Sequence, residues 1–107
     1  MIENINHIDA YGIRKDGGAD LVIVSKGTLD ESIETQKLLL DKVENYLRYI
    51  NSQEFHTECP QATADNTYII LLLSEKPSES IAELITKIVP WAAEYHAKFI
   101  VKIKNNF

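Results

Sequence analysis

The residues best suited to chemistry stand at His56-Thr57-Glu58-Cys59, an imidazole and a thiol on neighbouring turns of chain. Such a pair could begin a metal site, or supply a base and a nucleophile. A zinc site draws on about four ligands, usually two spaced pairs. Here no second pair exists, and His7 and His96 are remote in the chain. The pair therefore reads as a loop histidine beside a partly buried cysteine. A catalytic cysteine needs its pKa lowered by a cation or a helix N-terminus. Cys59 instead precedes Pro60 and follows Glu58, whose carboxylate opposes thiolate formation. Asp9, Asp20, Asp30 and Glu31 offer carboxylates, but every soluble domain has several. Asp9 lies on the first strand among apolar neighbours and reads either as partly buried or as an edge-strand residue facing water. Asp16-Gly17-Gly18 lacks the G-x-x-x-x-G-K spacing of a phosphate loop and reads as a hairpin turn. Trp91 and Tyr95 could present an aromatic contact, but they read as core packing. No residue is thus assigned a catalytic, cofactor-binding or metal-binding role, and no cofactor is expected. A small enzyme or ligand-binding domain using the loop around His56 and Cys59 is kept as the alternative function.

The chain of 107 residues is 45% hydrophobic and 25% charged, which suits one globular domain spanning residues 1–107. Its formal charge of −5 argues against nucleic acid as a partner, since phosphates are met by clustered Lys and Arg. The single Cys59 excludes an internal disulfide. Met1-Ile2-Glu3-Asn4-Ile5-Asn6 does not resemble a signal peptide, and the apolar run 68–73 is too short to cross a bilayer. The expectation is a cytoplasmic protein that does not engage a membrane.

The elements that must position these residues follow from periodicity. Residues 7–13 and 20–25 read as two strands, the second rich in β-branched side chains. Residues 30–50 read as a helix, with Thr28-x-x-Glu31 as a capping box or Asp30 as the cap. Its expected core stripe is Ile33, Leu40, Val43, Leu47 and Ile50, widened by Leu39 and Tyr46, with Lys42 among the residues on the wet side. Phe55, Thr57 and Cys59 alternate with polar residues and suggest a short extra strand ended by Pro60. The continuous apolar run 67–73 reads as a strand covered on both faces. Ser78 or Ser80 caps a second long helix carrying Ile81, Leu84, Ile85, Ile88, Ala92 and Tyr95 in phase, kinked before Pro90. Residues 98–104 alternate as a last, less central strand with Phe99, Val101 and Ile103 inward.

The order is ββαβαβ. Strand–helix–strand crossovers favour parallel, right-handed connections. The expected fold is an α/β (α+β) two-layer sandwich: a mixed four-stranded sheet with two helices on one face. That leaves one sheet face bare, yet the strands are apolar on both sides. Tyr68, Ile70 and Leu72 oppose Ile69, Leu71 and Leu73, and Leu21 and Ile23 oppose Val22 and Val24. One set must lack helix cover, and large exposed apolar patches mark interaction surfaces. Val22, Val24, Tyr68, Ile70 and Leu72 are the candidate set. The expected role is a non-enzymatic interaction module, with a second copy (a homodimer) or another protein as the partner. The competing expectation folds the 51–66 segment and the N-terminus over that face.

His7-Ile8-Asp9-Ala10-Tyr11-Gly12-Ile13, the glycine turn, Leu21-Val22-Ile23-Val24 and Leu38-Leu39-Leu40-x-Lys42-x-x-x-Tyr46-Leu47-x-Tyr49-Ile50 together resemble a family of small bacterial proteins classed as a domain of unknown function. That family often carries Asp-x-Leu-Asp-Trp before the first helix. Lys26-Gly27-Thr28-Leu29-Asp30-Glu31 departs from it at Glu31. The resemblance implies no activity and transfers no site residue.

Overall fold

The computed structural model of the chain describes residues 6–25 and 32–104. Its elements are β1 (Ala10–Ile13), β2 (Ala19–Ser25), α1 (Ile33–Ile50), α2 (Gln53–Glu58), β3 (Thr67–Leu73), α3 (Glu79–Glu94) and β4 (Lys98–Ile103). The sheet order is β1-β2-β3-β4, with β1–β2 antiparallel and the two later pairs parallel. Each parallel pair is bridged by a long helix. Two crossovers proceeding in the same direction put both helices on one face. The ββαβαβ order and mixed sheet are as the sequence implied.

Three elements differ from expectation. The 53–58 segment is a helix, not a strand. Phe55 and Cys59 are both buried while Thr57 is exposed, so the spacing that matters is four residues and not two. Ser52 caps this helix by accepting from the Phe55 N–H at 3.2 Å. β1 starts at Ala10 and not at position 7, because the preceding backbone takes side-chain partners in place of a ladder. The Asp9 N–H donates to the Tyr46 hydroxyl at 2.9 Å, and the His7 carbonyl accepts from Lys42 Nζ at 2.7 Å. The α1 stripe is also rotated. Leu39, Lys42, Val43, Tyr46, Leu47 and Ile50 are its buried residues, while Ile33 is 79% exposed. A stripe centred on Leu39, Val43 and Tyr46 turns Ile33 outward and draws Lys42 in.

The cap of α1 is Ser32, which accepts from the Thr35 N–H at 3.1 Å. The expected Thr28–Glu31 capping box and Asp30 cap lie outside the described residues. Ser78 caps α3, and that helix continues through Pro90 to Glu94. Residues 14–18 form the β1–β2 turn: the Arg14 N–H donates to the Gly18 carbonyl at 2.8 Å, and Gly17 holds a φ of 88°, a conformation glycine adopts cheaply.

The core lies between the helices and one sheet face. Leu21, Ile23, Ile69, Leu71, Leu73 and Phe99 meet Leu39, Val43, Tyr46, Ile81 and Ile88 there. Burying side chains of this size contributes about 1.5–3 kcal/mol each before chain entropy is set against it.

Candidate interaction face

Register fixes what the other face carries. Asp20, Tyr68 and Lys98 form one row across the sheet, with Gly12 beside Asp20. Ala10, Val22, Ile70 and Ile100 form the next row, and Val24, Leu72 and Lys102 the one after. Side chains alternate along a strand, so all of these point away from the helices. The five candidate residues Val22, Val24, Tyr68, Ile70 and Leu72 therefore share the bare face, while Leu21, Ile23, Ile69, Leu71 and Leu73 face the helices. Val22, Val24, Tyr68 and Leu72 are half-buried, and Ile70, at the centre, is 7% exposed. Among the described residues no helix packs on this face. Of the expected competing cover, the 51–66 segment lies on the helix side, where Phe55 and Cys59 join the core, and residues 1–5 of the N-terminus lie outside the described residues.

The rim of the face is charged. The Arg14 guanidinium sits 4.5 Å from the centre of the Tyr68 ring, and Lys98 Nζ lies 5.7 Å from the same ring. Arg14 also donates from Nη1 to Asp20 at 2.8 Å, which raises its already high pKa. A cation over an aromatic face is attracted by the ring quadrupole. Tyr68 is thus flanked by two cations at the N-terminal end of the parallel strands.

The sequence singled out other residues, and the structure separates them. Cys59 is buried, and its sulfur lies 2.7 Å from the Tyr11 hydroxyl on the helix side of β1. Burial, followed by this contact, pushes the Tyr11 phenol well above its ordinary pKa. Tyr49 packs edge-on against both Tyr11 and Phe55 and donates to Glu58 at 3.0 Å. Burial and that carboxylate push its pKa up to about 12. His56 and His96 line a separate groove of about 220 Å³, and His96 Nδ1 is 2.8 Å from Asn51 Oδ1. Of the two residues read as core packing, Trp91 packs against the core while Tyr95 is exposed, and both line a groove of about 420 Å³ with Glu44 and Arg48. No group of three or more metal-ligating side chains assembles among the described residues. Among those residues, too, no helix is long and apolar enough to cross a membrane.

Sequence reasoning missed the buried ion pair. Lys42 Nζ reaches Asp9 Oδ1 at 2.9 Å, with the two side chains 0% and 4% exposed. Asp9 Oδ2 also accepts from the Val24 N–H at 2.9 Å. The Tyr46 hydroxyl accepts from Asp9 and donates to the Val22 carbonyl at 2.6 Å. Burial raises the Asp9 pKa, but hydrogen bonds from Lys42 and Val24 help to hold it below its ordinary value. The available signal was Asp9 itself: a buried carboxylate requires a cation, and Lys42 falls on the turn of α1 that passes over it.

The pattern of residues 7–50 that resembled an uncharacterised family extends over nearly the whole chain. The model of a family of unknown function, DUF6572, matches residues 1–105. The chain belongs to this family. No curated protein and no solved structure matches it. Membership in DUF6572 brings no reaction, ligand or partner with it, so the functional reading rests on the bare face and its rim. The departure noted at Glu31 falls outside the described residues. In this DUF6572 chain the Lys42–Asp9 pair binds β2, α1 and the 7–9 segment together.

Proposed function

We propose that this protein is a non-enzymatic, single-domain interaction module, and that the bare sheet face bearing Val22, Val24, Tyr68, Ile70 and Leu72 is where its partner docks. One observation carries the reading: aliphatic residues occupy the rows of β2 and β3 that face away from the helices. A sheet face meant for water alternates with polar side chains, as antiparallel and edge strands commonly do. Here the half-buried Val22 and Ile100 flank Ile70, which the chain already buries, and covering Val22 and Ile100 removes apolar area from water at about 25 cal/mol per Å². Either a second copy or another protein supplies the cover.

A photo-activatable residue placed at Leu72 or Ile100, with one on the exposed Lys87 of α3 as control, tests this in the native cell. Discrete cross-linked species are expected from the two face positions and none from the control. Face positions that cross-link no more than Lys87 does would sink the reading. Light scattering at high concentration separates the two occupants: a strictly monomeric species removes the homodimer version.

A further inference from the structure

We infer that the partner seated on this face is a different protein, presenting an apolar strip bordered by carboxylates, and not a second copy of this chain. The inference rests on the interaction-module reading and narrows its partner. The whole chain carries a formal charge of −5, yet its bare face carries the exposed cations Lys98 and Lys102, while Arg14 at its edge is held by Asp20 and lies 3.7 Å from Asp16. Asp20 is already engaged by Arg14 at 2.8 Å. The face is therefore a basic-rimmed apolar strip on an acidic body. Lys98 and Lys102 are both exposed and project from the same side of β4.

Among the described residues, two copies docked face to face set no free carboxylate opposite Lys98 and Lys102. A two-fold axis across the strands lays β4 on β4 and sets Lys98 and Lys102 against their own copies. A two-fold axis along the strands lays β4 on β1, where Ala10 and Gly12 offer no charge and Arg14 is already paired with Asp16 and Asp20. Like charges brought together at an interface cost free energy, and complementary ones speed and direct encounter. Single-stranded nucleic acid is the other anionic occupant to consider. It needs several aromatic platforms on which bases stack. This face has one, Tyr68, and Arg14 already lies over it. Its aliphatic rows suit protein side chains better.

The test uses the full chain, isotopically labelled, at low ionic strength. Three probes are titrated: two synthetic amphipathic peptides with one apolar sequence, flanked by Glu in the first and by Lys in the second, and an oligouridylate. Sedimentation of the chain alone reports self-association. The Glu-flanked peptide is expected to bind at least about tenfold more tightly than the Lys-flanked one. It should shift the amide signals of Val22, Ile70, Leu72 and Ile100, and lose much of its advantage at high salt. The double variant Lys98→Glu, Lys102→Glu, with its fold checked by its amide spectrum, should reverse the preference. Equal affinities, a Lys preference, tighter oligouridylate binding or a dimer formed through this face each overturn the inference. The first, second and fourth of these results leave the interaction module standing. Silence of all four face residues to every probe, with no dimer, overturns both.

Discussion

Lys42 and Asp9 bring an ion pair into the interior of the protein, and the pair survives there because each member is multiply bonded. Lys42 meets the His7 carbonyl as well as the carboxylate, and Asp9 meets the Val24 N–H as well as the ammonium. Removing one partner of such a pair leaves an uncompensated buried charge. Asp9→Asn is expected to cost about 3–5 kcal/mol in urea denaturation near neutral pH. The acid limb follows from the direction of the Asp9 shift. Its folded pKa lies below the ordinary 3.8, so its contribution is fully present above that value and is lost as pH falls through the depressed folded value. Asp9→Asn should therefore flatten the stability profile below about pH 4, measured against the parent chain. Tyr49 governs part of the other limb. Its pKa is raised from 10.0 to about 12, so it stabilises the fold below 10 and loses that contribution as pH rises toward 12. Tyr49→Phe should make the alkaline loss shallower in that window without removing it, because Tyr11 and Tyr46 are also shifted upward by burial. An unchanged alkaline limb would contradict the assignment.

At the scale of elements, the β1–β2 turn packs closely against the loop before β3. The Ala19 N–H donates to the Asn66 carbonyl at 3.0 Å, and a Cβ on Gly18 would collide with that same oxygen. Gly18→Ala is expected to destabilise by about 1–3 kcal/mol, the usual cost of overpacking. Calorimetric melting checks this, and a variant as stable as the parent would show that the turn and loop part freely. Periodicity identified both long helices and all four strands, because each repeats an apolar pattern over several residues. It misread α2, a helix of 6 residues, since Phe55 and Cys59 satisfy a two-residue and a four-residue spacing alike. It also placed the α1 stripe on Ile33 and left out Lys42. A charged residue is assigned to water unless its partner is known, and Asp9 is 33 positions away in the chain.

At the scale of the molecule, the question is whether two sheet faces of similar composition differ in cover. Ile23 and Val24 are adjacent in β2 and point to opposite faces. Ile23→Thr buries a hydroxyl in the core and is expected to cost more than about 2 kcal/mol. Val24→Thr, on the bare face, should cost less than about 1 kcal/mol in the isolated chain. Chemical denaturation of the two variants compares them directly. Equal costs would mean that the second face is covered within the chain itself, and the docking surface would disappear.

The sequence by itself determined the strand and helix order, the glycine turn and the fact that β2 and β3 are apolar on both sides. Those features are local or strictly periodic, so neighbours along the chain specify them. Which alternate set faces outward was decided only in three dimensions, when α1 and α3 closed over Leu21, Ile23, Ile69 and Leu71 and left Val22, Val24, Tyr68, Ile70 and Leu72 without them. The convergence of Arg14 and Lys98 on Tyr68, and of Lys42 on Asp9, was likewise decided by tertiary structure. Each joins residues far apart in the chain through strand register or helix docking, and no local pattern encodes such a distance.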